Sequence, residues 1–123
     1  MKINYKNENR KYETNVVYQI SIGMFDYIGQ TSRPLEMRIK EHLYSKNSEV
    51  NQFIKANDIK EIKVKILYHL PSNKRLYNVE TKAMAQYIVY NTKRIGYKTL
   101  INKDFKGLDK LSIKELKDLI AKY

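Results

Sequence analysis

Cysteine is missing from all 123 residues, which excludes disulfides and thiolate zinc sites. Proline occurs twice, so Pro34 and Pro71 stand out as breaks between elements. No long apolar run or basic amphipathic helix stands out to lie on a membrane surface. The opening residues, MKINYKNENRKYET, are polar and lack the apolar stretch of a secretion signal. Acidic residues are also few: 24 Lys and Arg stand against 13 Asp and Glu, a net charge of +11. Such an excess favours a polyanion, and nucleic acid is the commonest. Eleven tyrosines suit stacking or phosphate contacts, although an AT-rich genome enriches Lys, Asn, Ile and Tyr without functional cause. A chain of this length builds one domain with a modest core. The expectation is a cytoplasmic protein with a nucleic-acid partner, DNA first, and no membrane partner.

The richest stretch is Val16 to His42, VVYQISIGMFDYIGQTSRPLEMRIKEH. Val16, Tyr18, Ile20 and Ile22 alternate with Val17, Gln19 and Ser21, the period of a strand. Gly23-Met24 places glycine first in a two-residue turn, as a type II′ hairpin requires. Closing the hairpin there sets Ile22 opposite Phe25, Ile20 opposite Tyr27 and Tyr18 opposite Gly29. Tyr18 and Tyr27 then share one face as diagonal neighbours. Glycine opposite Tyr18 predicts an open approach to its phenol from outside, although paired tyrosines in a hairpin are most often simple packing. After the strand, Pro34 suits the first turn of a helix and Glu36 its positive end. Leu35, Ile39 and Leu43 form a buried stripe. Arg38 and His42 form a second stripe beside it, one turn apart. A guanidinium can bridge two phosphate oxygens and an imidazole can move a proton. Taken singly, each also reads as an ordinary surface residue.

Further along, Ser48 caps a short helix to Asn57, with Val50, Phe53 and Ile54 facing inward. Ile62 to Tyr68 alternates as a third strand, and His69 within it reads as structural. Pro71-Ser72-Asn73 precedes the longest helix, about Lys74 to Tyr90. Its buried face is Leu76, Val79, Ala83, Met84 and Tyr87, and Glu80 falls inside that face. An ionised carboxylate there is costly unless paired or bound to metal. It is either a salt-bridge partner, with Arg38 the obvious candidate, or a ligand for one hard divalent cation. Ser112 and Glu115 form a capping box ahead of a short amphipathic helix. The predicted fold is α+β, a three-stranded and mainly antiparallel sheet flanked by helices, in the order β-β-α-α-β-α plus a C-terminal helix. Residues 1–14 read as a polar arm, 15–102 as the main domain, and 103–123 as a helical extension packed on it.

The ordered set Tyr18, Tyr27-Ile28-Gly29-Gln30-Thr31, Leu35, Arg38-Ile39 and Glu41-His42 resembles the core of the GIY-YIG nuclease family, which includes homing endonucleases and phage or mobile-element nucleases. The resemblance extends, more faintly, to about Asn102. It departs at Val16-Val17, where the family has Gly-Ile. It implies a metal-dependent endonuclease in which Tyr18, Tyr27, Arg38 and His42 are catalytic. Glu80, on the long helix, would hold one Mg²⁺ or Mn²⁺ ion. The family's late asparagine fits Asn102 best, with Asn91 as a rival. The alternative is a non-catalytic nucleic-acid-binding or interaction protein on the same fold.

Overall fold

The alternation between Val16 and Thr31 closes into a hairpin of β2 (Val16–Ile22) and β3 (Phe25–Thr31), with Ile22 opposite Phe25, Ile20 opposite Tyr27 and Tyr18 opposite Gly29. Gly23 takes φ 62° at the turn, the left-handed sign that glycine tolerates without a Cβ penalty. The computed structural model describes residues 1–91 and 99–123. The third expected strand is present as β4 (Glu61–His69), antiparallel to β2, with an irregularity between Val17 and Tyr18.

The sheet has four strands, in the order β1-β4-β2-β3, where three were expected. The added strand, β1 (Lys2–Tyr5), runs parallel to β4 with Lys2 beside Glu61 and Tyr5 beside Val64, so the sheet is mixed. The lead is therefore not a free arm. Four residues are too few to declare a period, and the pairing depends on a strand far along the chain. What holds β1 is the burial of Ile3 and Tyr5 against the core. The rest of the lead positions the next helix, α1 (Leu35–Tyr44). Pro34 offers α1 no side-chain cap. The Leu35 and Glu36 amides instead donate to the carbonyls of Glu13 and Lys11, at 2.9 and 2.7 Å.

The two sheet faces carry separate cores. One packs Tyr18, Ile20, Ile22 and Val64 against Leu35, Ile39 and Leu43 of α1 and Val50 of α2 (Glu49–Ala56). Ser48 caps α2 as its sequence predicts, its hydroxyl accepting from the Asn51 amide. The other face packs Val17 and Ile28 against α3 (Leu76–Tyr90) and α4 (Ile113–Lys122). The Ser112–Glu115 capping box is formed. Leu108 and Leu116 lie within this second core, so residues 103–123 do pack on the main unit. Among the described residues no helix is long and apolar enough to cross a membrane.

Candidate active site

The hairpin and α1 bring three rings together. Tyr18 and Tyr27 both meet the His42 imidazole edge-on, at centroid distances of 5.9 and 4.9 Å. The Tyr18 hydroxyl lies 2.6 Å from His42 Nε2, and His42 Nδ1 lies 3.4 Å from the Ser48 hydroxyl oxygen. One assignment satisfies both contacts: a neutral imidazole whose Nε2 accepts from Tyr18 and whose Nδ1–H points to Ser48. Burial, and then the charge of Arg38, push the His42 pKa down to about 3.

The expected open approach to Tyr18 is overturned. Tyr18 is fully buried. Gly29 does leave a space, but the end of the Tyr18 side chain fills it. A Cβ at Gly29 would fall 2.5 Å from the Tyr18 hydroxyl and 2.9 Å from a Tyr27 ring carbon, so a larger residue there would have to displace both rings. Burial raises the Tyr18 pKa well above the ordinary phenol value, with Tyr27 and Glu80 adding to the rise and Arg38 opposing it. The phenol that reaches the surface is Tyr27. It lines a cleft of about 270 Å³ with Arg38, Glu41, His42, Ser45, Asn47, Ser48 and Glu49. Burial and Glu49 push its pKa up to about 12, while Arg38 pulls the other way. Although burial opposes its charge, Arg38 is held more firmly protonated by Tyr18, Tyr27 and Glu41.

The His42 environment makes stability depend on pH. Its folded pKa, about 3, lies below the unfolded 6.5, so the unfolded chain takes up this proton first as pH falls. The stabilisation is complete above pH 6.5 and is lost progressively toward about 3. Between pH 7 and 5 the loss is about 2 kcal/mol. Glu80, whose pKa is raised by burial, favours the folded state in the opposite sense as pH falls. His42→Gln isolates the histidine part: in urea unfolding, wild type should lose about 2 kcal/mol more than the variant between pH 7 and 5. Parallel pH profiles would contradict the buried neutral imidazole.

Glu80 lies on α3 near this cluster, close enough that its charge acts on both phenols. Its ion-pair partner is not Arg38, the sequence candidate, but Lys106. The Lys106 ammonium lies 2.9 Å from Glu80 Oε1, with both side chains about nine-tenths buried. It also sits 3.6 Å from the centre of the Tyr77 ring. Lys106 and Gly107 both take left-handed φ, 54° and 78°, and this turn delivers the lysine to the carboxylate. Arg38 is shared instead with Glu41, at 3.6 Å, which Arg33 also binds.

The chain from Leu100 to Lys106 forms a strap along the outer edge of β3. Leu100 bridges Asp26, and the Ile101 amide donates to the Asp26 carbonyl at 2.9 Å. Asn102 clasps one residue of β3: its Oδ1 accepts from the Ile28 amide at 3.1 Å and its Nδ2 donates to the Ile28 carbonyl at 2.7 Å. The Lys103 amide then donates to Glu49 at 2.7 Å. Asn102 thus holds the Tyr27-Ile28-Gly29 backbone in place, with both ends of its amide engaged. The rival Asn91 donates to the Thr99 hydroxyl at 2.8 Å, beside Tyr87 and Asp26 on the other core. Sequence reasoning missed Glu49, Ser48 and Lys106. Ser48 was legible only as a cap, and nothing local marks Lys106 as the partner of Glu80.

Among the described residues no three His, Asp or Glu side chains gather as a metal cage. Glu80 is a single hard oxygen donor already facing a cation, the lysine ammonium. A divalent ion there would have to displace Lys106 and be held mainly through water and phosphate oxygens. Comparison with family models, curated proteins and solved structures finds no match for this chain.

Proposed function

We propose that this chain is a metal-dependent endonuclease of GIY-YIG type, hydrolysing phosphodiester bonds in nucleic acid, with DNA as the leading substrate. The observation that carries the reading is the convergence of Tyr27, Arg38 and His42 on one surface cleft, with the buried Tyr18 hydroxyl bonded to His42 behind it and the Glu80 carboxylate acting electrostatically on both phenols. The resemblance of Val16 to His42 and the net charge of +11 support it.

A divalent ion held by Glu80 would supply Lewis-acid polarisation of the scissile phosphate. The chain's own residues do the rest. Arg38, at the cleft wall, neutralises charge developing on the phosphate oxygens. Tyr27 orients the attacking water: its oxygen receives the water's proton as its own passes to solvent in the cleft, so no free phenolate is needed. Arg38 also eases transient negative charge on that oxygen. Tyr18 and His42 act as positioning residues. Their hydrogen bond fixes the imidazole against which the Tyr27 ring packs, and Ser48 fixes the other nitrogen. The departing alkoxide takes a proton from water, which balances the hydrolysis.

Binding without cutting is the second reading, and the Lys106–Glu80 pair favours it, because the carboxylate already has a cation. Incubation with labelled single-stranded, duplex and branched DNA and RNA, with Mg²⁺, Mn²⁺ or EDTA, separates the two. The expected result is new termini with Mg²⁺ or Mn²⁺ and none in EDTA. Salt-dependent binding with no product under any cation would give the second reading the lead.

A further inference from the structure

The cations around the cleft are matched by carboxylates: Arg33 and Arg38 by Glu41, Lys106 by Glu80, and Lys40 on α1 by Glu36. A different part of the sheet is not matched. In β1 and β4 the alternation sends Ile3, Tyr5, Ile62 and Val64 into the core. Lys2, Asn4, Lys63 and Lys65 therefore stand on the opposite face. The register sets Asn4 beside Lys63. The Lys6 amide donates to the Val64 carbonyl at 2.8 Å, which carries the parallel pairing on and brings Lys6 beside Lys65. On this face α3 packs over β2 and β3, leaving the β1–β4 half open. There a groove of about 270 Å³ is lined by Asn4, Lys6, Ser21, Lys63 and Lys65, together with Tyr5 and Val64.

Among the described residues, Lys2, Lys6, Lys63 and Lys65 make no ion pair. The acid nearest them in register, Glu61, bonds the Asn4 amide. Strands lie about 4.8 Å apart and same-face neighbours along a strand about 6.6 Å apart. Like charges at that spacing repel, and a polyanion laid across them removes the repulsion. At the border with α3, the Lys82 ammonium lies 5.6 Å from the centre of the Tyr68 ring, which extends the basic surface.

We propose that this open lysine face of β1 and β4 is a second nucleic-acid contact surface. It grips the phosphate backbone away from the cleft, on the opposite side of the sheet from α1. The inference takes its partner from the nucleic-acid reading above and does not depend on cleavage. Lys6, Lys63 and Lys65 supply charge without base-edge recognition, so the grip is indifferent to sequence.

The test compares two variants with the same loss of charge. One carries Lys6→Gln, Lys63→Gln and Lys65→Gln. The other carries Lys110→Gln, Lys114→Gln and Lys117→Gln, all exposed and in or beside α4. Unfolding midpoints confirm that both fold, and duplex DNA affinity is read in EDTA across a salt series. The sheet variant should flatten the log–log salt slope by about 2–3, at roughly 0.9 per phosphate contact, and the α4 variant by less than about 1. Equal flattening by both would overturn the proposal, since net charge alone would explain it. So would wild type that binds no nucleic acid at low salt, or binding of these lysines to anionic vesicles in its place. Cleavage separates this inference from the nuclease reading. Wild type that binds through these lysines but never cuts sinks only the nuclease, whereas an unaffected sheet variant of a cutting enzyme sinks only the second surface.

Discussion

Glu80→Gln should lower cleavage by more than ~10³-fold while leaving nucleic-acid affinity little changed. Each decade is about 1.36 kcal/mol, and a Lewis acid contributes several kcal/mol to such a transition state. The amide keeps the size of the side chain and an oxygen facing Lys106, but loses the charge that would hold a divalent ion. Alanine would be a poorer choice. With its partner 2.9 Å away and both side chains about nine-tenths buried, Glu80→Ala would strand the Lys106 ammonium. Removing one member of a buried pair costs about 3–5 kcal/mol, so loss of activity could reflect loss of fold. Gel assays of cleavage with Mg²⁺, together with anisotropy measurements of binding in EDTA, check the result. A variant that cuts at the wild-type rate would remove Glu80 from the mechanism.

Tyr27→Phe and Tyr18→Phe should fail in different ways. Tyr27 is half-buried and its hydroxyl serves the cleft, so Tyr27→Phe should cut at least ~10²-fold more slowly, the scale of proton-transfer catalysis, with an unchanged unfolding midpoint. Tyr18→Phe removes the donor 2.6 Å from His42 Nε2 inside the protein. A buried acceptor left without a partner costs about 1–3 kcal/mol. That variant should therefore lose stability by this amount, and lose activity because His42 and Tyr27 are no longer held. Denaturant unfolding and single-turnover cleavage on both variants decide the matter. Full activity in Tyr27→Phe with loss of activity in a stable Tyr18→Phe would exchange the two roles.

Much of the candidate site was legible because it is local. Tyr18, Tyr27, Arg38 and His42 fall within 25 residues of sequence, and the hairpin register and the helical spacing place them on facing surfaces without knowledge of the rest of the chain. Glu80 was legible as an anomaly, a carboxylate inside an apolar helical face. The burial of Tyr18 is not legible, because a strand pattern says which face a side chain takes, not what covers it. Here the covering is the rest of the site: Tyr27, the imidazole of α1, and the missing Cβ of Gly29, whose space the phenol itself fills. The resemblance gives Asn102 a place in the site, while its amide is engaged by the Ile28 N–H and carbonyl, and only the course of the strap reveals that.

The sequence by itself determined the basic charge, the hairpin and its register, the order of the helices and most of their buried faces. Each of these follows from alternation, helical spacing or a cap within a few residues. Tertiary structure alone decided the fourth strand, the backbone cap that the lead places on α1, the pairing of Glu80 with Lys106, and the burial of Tyr18. These depend on segments far apart in the chain meeting on the sheet's faces and at both of its edges. Such meetings are selected by the closure of the whole core, so no local period records them.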